Sequence, residues 1–358
     1  MIRVATELAP LLRDARMRIV DRVGECARAT GAEAVLVAGD VFDGPMVGDE
    51  VLRKLAARLE LYQDIRWHFL PGNHDPATPN GIWHRFAAFA VGEHVTVYHE
   101  AGLHHLKGDV DVLVAPLRAR AIAHDPTEWM MERASAEGVL RVGLAHGAVQ
   151  GFGSAGLASV LISPDRAVSA GLDYLALGDW HGMQQVGPKA WYAGTPEADR
   201  FLDNEPGYVL SVEIAEAGGE PQVRPHRLGQ YQWRRQVLTG DLLAALGALE
   251  TSVAQAAGAA GDWLWRVQVQ GRVSLEDEFV LRDRIERLRD RLFFVEADFA
   301  QLRVDSDAVA MDTFEDPLLA AVGARLAEKM ARGDEDGAVA HEALRLLAGL
   351  VRDVEDAA

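Results

Sequence analysis

Residues 66–75 read Arg-Trp-His-Phe-Leu-Pro-Gly-Asn-His-Asp (RWHFLPGNHD). The first five form an apolar run of strand length, and the next five break it with a turn that carries an amide, an imidazole and a carboxylate. The same arrangement recurs on either side. Ala34–Ala38 (AVLVA) runs into Gly39-Asp40, residues 141–145 (RVGLA) into His146-Gly147, and residues 173–177 (DYLAL) into Gly178-Asp179-Trp180-His181. A short continuous apolar run is the pattern of a strand buried on both faces. Helices are expected between such runs. Leu11, Leu12, Met17, Ile19, Val20, Val23 and Cys26 share one face of a helix over 11–30 with Gly31 as its cap, and a second helix covers 49–61. Helix alternating with buried strand predicts an α/β fold with helices outside the sheet. In such folds the active groups lie beyond the carboxyl ends of the strands.

Carboxylate, amide oxygen and imidazole together suit manganese, iron or zinc better than magnesium. An aspartate at a strand end can bridge two ions, which then clamp a phosphoryl group between them. Taken singly, each motif has a plain structural explanation: Gly-Asp and Asn are turn formers, and a lone histidine is usually a core residue. The four together, in order and each after a strand, argue for a metal centre.

On Gly39-Asp40, Gly72-Asn73-His74-Asp75, His146-Gly147 and Gly178-Asp179-Trp180-His181, the chain resembles the calcineurin-like metallophosphoesterases. The stretch 192–214 resembles their closing segment. The unit at 263–303 is similar to the capping domain of SbcD-type DNA repair exonucleases. The resemblance implies a sandwich of two sheets flanked by helices, a small β-α-β capping domain and C-terminal helices, with boundaries at 1–236, 237–310 and 311–358. It implies two divalent ions, most of all Mn2+, and a metal-activated water that attacks DNA phosphodiesters. Asp40 would bridge both ions, Asn73 and His146 would bind the second, His181 would bind the first, and His74 would be catalytic. Asp179 stands where the family carries a histidine. It is expected to bind the second ion, the alternative being that it orients a neighbouring ligand. The family's opening strand, which ends in Asp-x-His, has no counterpart here: no aspartate precedes Asp14 and no histidine precedes His68. The first strand is therefore expected to be missing, the first metal site weakened and nuclease activity low. Implied partners are DNA, an SbcC-like SMC-type ATPase docked on C-terminal helices over 316–331 and 338–353, and a second copy through helix 49–61. Two other readings stand beside the exonuclease: a phosphoesterase on nucleotides or other small phosphoesters, and an impaired scaffold that binds DNA ends or the ATPase.

The remaining sequence bounds these expectations. A chain of 358 residues accommodates one large domain and a smaller one. The single cysteine, Cys26, excludes a disulfide framework and a cysteine-based zinc or iron–sulfur site. No apolar run reaches the roughly 18 residues of a membrane span, and the first residues do not read as a signal peptide, so a soluble cytoplasmic protein is expected. A net charge of −18 opposes broad electrostatic binding of nucleic acid, but Asp40, Asp75 and Asp179 are expected at or beside the cations, which makes the site less negative than the formal count. His68 reads as a core residue, His84 as helix packing, and His104 and His105 as a turn or edge strand. Trp263 and Trp265 alternate around Leu264 and read as packing against the first domain, with exposure of one of them and base stacking as the alternative. The arginines between 282 and 291 read as a solvated helix face. The polar stretch 221–236 reads as strands closing the first domain.

Overall fold

The first helix, α1 (Ala9–Thr30), carries Pro10 in its first turn, where the absent N–H removes no helical bond. It stops at Gly31, whose φ of 71° returns its N–H to the carbonyls of Ala27 and Arg28. This computed structural model describes residues 8–89, 92–152, 160–202, 204–304, 316–330 and 334–356. The expected absence of an opening strand concerns residues 1–7 and lies outside them. The chain divides into two compact units, Met1–Tyr231 and Gln232–Ala358.

In the first unit, β1 (Ala34–Ala38), α2 (Asp49–Leu59), β2 (Arg66–Leu70), α3 (Ile82–Ala87) and β3 (Val95–Val97) follow α1. The three strands are parallel neighbours in the order β1-β2-β3. Their side chains alternate between two cores. Val35, Val37, Trp67 and Phe69 join the helix-side cluster with Leu52, Leu59, Trp83 and Phe86. Leu36, Ala38 and Leu70 join the opposite cluster with Val112, Val114, Val142 and Leu144.

That opposite cluster is shared with a second sheet. β4 (Gly102–Leu106), β5 (Val110–Ala115), β6 (Leu140–His146), β9 (Tyr174–Gly178), β10 (Gln184–Gly187) and β11 (Ala190–Tyr192) pair in the order β10-β11-β9-β6-β5-β4. Its middle is parallel and its two edge strands are antiparallel. The short pair β7 (Ala148–Val149) and β8 (Leu161–Ile162) and the single turn α4 (Arg166–Ser169) lie between β6 and β9 in sequence. The far face of the second sheet is covered by Met130, Val149, Ile162, Ala167 and Tyr192. An antiparallel ribbon, β12 (Tyr208–Glu213) with β13 (Gln222–Arg227), follows. The expected α/β sandwich of two sheets with flanking helices is thus the fold of this unit.

The second unit is a parallel sheet, β14 (Gln232–Leu238), β15 (Trp263–Val273) and β16 (Phe294–Val304), crossed by α5 (Leu242–Gln255) and α6 (Leu275–Arg287). The stretch 221–236 therefore splits: Gln222–Arg227 pairs with β12, whereas Gln232–Leu238 pairs with β15. Trp263 and Trp265 are both buried in this unit's own core and stack on each other, so neither the expected packing against the first domain nor an exposed ring is what occupies them. Arg287 and Arg289 pair with acids three or four residues away on their own helical segment, as expected, whereas Arg282 reaches the buried Glu278 and Arg284 pairs across to Glu250 of α5, so this face is only partly solvated. Two helices end the chain, α7 (Pro317–Met330) and α8 (Glu335–Asp356). Glu278 of α6, fully buried, holds α8 through His341 at 2.9 Å. Among the described residues no helix is long and apolar enough to cross a membrane.

Candidate metal centre

Four parallel strands end at one place. Asp40 follows β1, Asn73 and His74 follow β2, His146 closes β6, and Asp179 and His181 follow β9. Each sheet contributes two of these strands, and glycine lets the sheets touch there. A side-chain carbon on Gly178 would fall on the Ala38 carbonyl, and one on Gly39 would strike the His146 ring. One on Gly72 would strike the Asp40 carboxylate. Asp40 and Asp179 themselves have φ of 54° and 105°, in the region L-residues seldom occupy. Strain of that kind collects at functional sites.

His146 is 1% exposed, and its Nδ1 lies 2.8 Å from the Ala38 carbonyl oxygen. A carbonyl only accepts, so Nδ1 carries the proton and Nε2 keeps its lone pair. That Nε2 lies 3.4 Å from Asp40 Oδ2 and 3.8 Å from Asp179 Oδ1, near both carboxylates and hydrogen-bonded to neither. Asp40 Oδ1 accepts the His74 amide at 2.9 Å. Burial works to raise the Asp40 carboxyl, but His146 and the His74 amide outweigh it and hold it below the usual range. Asp179 accepts no comparable hydrogen bond, and burial, with the Asp40 charge adding to it, pushes it up against the pull of His146 and His181. Burial lowers His181, which favours a neutral imidazole with a free lone pair.

Three atoms bear on whether a cation fits. Asn73 Oδ1, His146 Nε2 and His181 Nδ1 are buried without a hydrogen-bond partner. An orphaned buried polar atom costs about 1–3 kcal/mol, so three in one site call for a ligand common to them. Amide oxygen, imidazole nitrogen and carboxylate are the donors a borderline divalent ion accepts. The residues present therefore fit such an ion. The shell is not drawn tight: among the described residues no three His, Cys, Asp or Glu side chains gather around one point at ligand distance. Asp40, His146 and Asp179 come together, whereas His181 makes no hydrogen bond to them.

Two supporting features were not legible in the sequence. Asp75 was expected at or beside the cations. Instead its carboxylate is fully buried and accepts the amides of Gly72 (2.7 Å), Phe42 (3.1 Å) and Asp40 (3.3 Å), clamping the loops after β1 and β2 together. Burial pushes this carboxyl up to about 7 against the pull of those amides. The second feature is Arg16 of α1, which grips the Asp43 carboxylate with two bonds of 2.9 and 3.0 Å. Asp43 then presents its backbone carbonyl to His74 Nδ1 at 3.1 Å. Of the other histidines, His68 is buried in β2 against Tyr98, and His104 and His105 lie on the edge strand β4, as expected; His84 lies on α3 but is exposed, so the packing role expected for it is not seen.

Comparison with curated proteins returned no match. A family model described as calcineurin-like phosphoesterase matches residues 12–204, more than half the chain, and that span holds both sheets of the sandwich and every residue of the centre. The family's chemistry is metal-dependent hydrolysis of phosphoesters, which the donor set at these strand ends suits. This chain belongs to the calcineurin-like phosphoesterase family.

Proposed function

We propose that the protein is a metal-dependent phosphodiesterase acting on DNA ends, an exonuclease of the SbcD type. The observation that carries this reading is the trio of buried, unpartnered donors, Asn73 Oδ1, His146 Nε2 and His181 Nδ1, beside the Asp40 and Asp179 carboxylates. Divalent ions held there, manganese foremost, supply Lewis-acid polarisation of the phosphoryl group. Asp40 is placed to be shared, one oxygen steadied by the His74 amide and the other turned to His146. His146 offers Nε2 because Nδ1 is committed to Ala38. His74 is exposed, and its Nδ1 donates to the Asp43 carbonyl, so proton exchange with substrate falls to Nε2, which with the ring doubly protonated would pass its proton to the leaving oxygen and keep the lone pair. In the second unit, Leu318, Val322, Val339, Leu346 and Leu350 are exposed on α7 and α8. They support docking of a helical partner of the SMC-type ATPase kind.

The test offers duplex DNA and bis-p-nitrophenyl phosphate to the full chain with Mn2+, beside His74→Ala. Degradation of DNA is expected, lowered roughly 10²–10⁴-fold in the variant with bound metal unchanged. Cleavage of the small diester alone would assign the site to small phosphoesters. A wild type that binds no metal and cleaves neither would leave a DNA-end or ATPase scaffold.

A further inference from the structure

The loop after β5 is held against the candidate centre by its backbone. Leu117, buried, donates its N–H to the Pro71 carbonyl (3.1 Å) and accepts the Ala77 N–H on its own carbonyl (2.7 Å). These two bonds bracket the turn that carries Asn73, His74 and Asp75. In the parallel ladder Ala115 lies opposite Ala145, so this loop and His146 leave the same edge of the sheet.

The far end of the loop is fixed as well. Asp125 accepts the Thr127 and Ser163 amides at 2.8 and 2.9 Å and the Arg166 guanidinium at 2.9 Å. Arg166 is itself buried and also donates to Thr127 Oγ1 at 2.8 Å. Between the two anchors runs Arg118-Ala-Arg120-Ala-Ile-Ala-His124, with no acid in it. Arg118 and Arg120 are exposed and, among the described residues, make no ion pair or hydrogen bond. In a chain of net charge −18, where most arginines near the sandwich are paired, two exposed cations on a braced loop beside the centre are free to take an anion.

We propose that Arg118 and Arg120 hold a second phosphate of the substrate, next to the phosphoryl group that reacts. This rests on the reading of the centre as a phosphodiesterase. The chemistry is recognition of a phosphate oxyanion by guanidinium on a pre-positioned loop. The neighbouring phosphate is joined through either a phosphodiester or a pyrophosphate link.

The experiment has a binding arm that needs no catalysis. A fluorescent oligothymidylate is titrated by anisotropy in EDTA over a range of KCl, with wild type, Arg118→Gln, Arg120→Gln and the double variant. Neither side chain has a partner in the fold, so unchanged melting temperatures are expected. The slope of log affinity against log salt should fall by about 0.7 for each arginine removed. ADP serves as competitor: the ligand whose binding the double variant loses identifies the link. In the kinetic arm, the ratio of kcat/KM for oligothymidylate to that for bis-p-nitrophenyl phosphate should fall about tenfold per arginine. An unchanged salt slope overturns the proposal, as does an equal loss on both substrates. If wild type hydrolyses neither substrate, the phosphodiesterase reading fails, and the binding arm still decides whether the arginines hold phosphate.

Discussion

Replacing Gly178 with alanine tests whether the contact between the two sheets sets up the metal centre. Gly178 lies opposite His146 in the β6–β9 ladder, and its φ is ordinary, so alanine brings no backbone strain. The difficulty is space. The new carbon would overlap the Ala38 carbonyl oxygen and come within 2.8 Å of His146 Nδ1, and both are held by backbone or ring. Relieving the overlap means separating β1 from β9 and breaking the Ala38–His146 hydrogen bond. Overpacking of this kind costs about 1–3 kcal/mol and the lost bond about 1 more, so destabilisation of about 2–4 kcal/mol is expected. For a unit of this size that corresponds to a fall in Tm of roughly 5–15 °C. Freed from Ala38, the His146 ring loses the partner that fixes its tautomer, and affinity for Mn2+ should drop about 10–100-fold. Gly143→Ala is the control. It overpacks the same sheet, but against the flexible ends of Leu172 and Leu175 at 2.7 Å. Both variants should melt earlier, and only Gly178→Ala should weaken Mn2+ binding by calorimetric titration below both transitions. Wild-type affinity in Gly178→Ala, or an equal loss in Gly143→Ala, would refute the reasoning.

Other perturbations have equally defined outcomes. His68 is 3% exposed with Nε2 unpartnered, and burial, with Arg66 and His104 adding repulsion, lowers it from 6.5 to about 4. The unfolded chain therefore binds a proton that the native one refuses between those values. The stability His68 confers is complete above 6.5, declines as pH falls, and is gone below 4, with about 2 kcal/mol lost between pH 7 and 5. His68→Gln, which keeps a partner for Tyr98, should remove that part of the pH dependence in urea unfolding; identical pH dependence in variant and wild type would contradict it. Glu278→Ala leaves Arg282 and His341 without their buried partner. It should destabilise the second unit by about 3–5 kcal/mol and expose α8 to protease, and wild-type resistance to digestion would count against the role assigned to Glu278.

What the sequence made legible follows from how each signal is encoded. The strands that end at the centre were readable because parallel strands buried on both faces are uninterrupted apolar runs, and the donors stand directly after them. β14 reads as part of the first domain because Gln232–Leu238 is mostly polar, with only Trp233 and Leu238 buried, a pattern that does not name the strand's partner. α5 went unassigned because its alanine- and leucine-rich surface is apolar nearly all round, which erases helical periodicity. Asp75 could not be told from a ligand, since the three amides it accepts come from two loops that meet only in the fold. Arg16 is 27 residues from Asp43, and no local pattern links them.

The charge of the chain ceases to argue against a phosphate substrate once distance is considered. At physiological salt the Debye length is about 8 Å, so exposed acids farther than that from the strand ends are largely screened from a phosphate there. What the phosphate meets is local. Asp75 is turned inward on three amides, and its burial already disfavours its charge. Asp40 and Asp179 are the remaining carboxylates beside His146, and divalent cations bound between them would reverse the sign of the site. An imidazole at position 179, the residue type the family carries there, would have left the cations with more uncompensated positive charge. A carboxylate there would lower it and so weaken the pull on the reacting phosphate. Unpaired arginines on the braced loop after β5 restore attraction one step away from the reacting group, where a guanidinium can hold a neighbouring phosphate without competing for the cations. Attraction in this protein is therefore divided between the centre and its rim, and substrates with a single phosphate can use only the first.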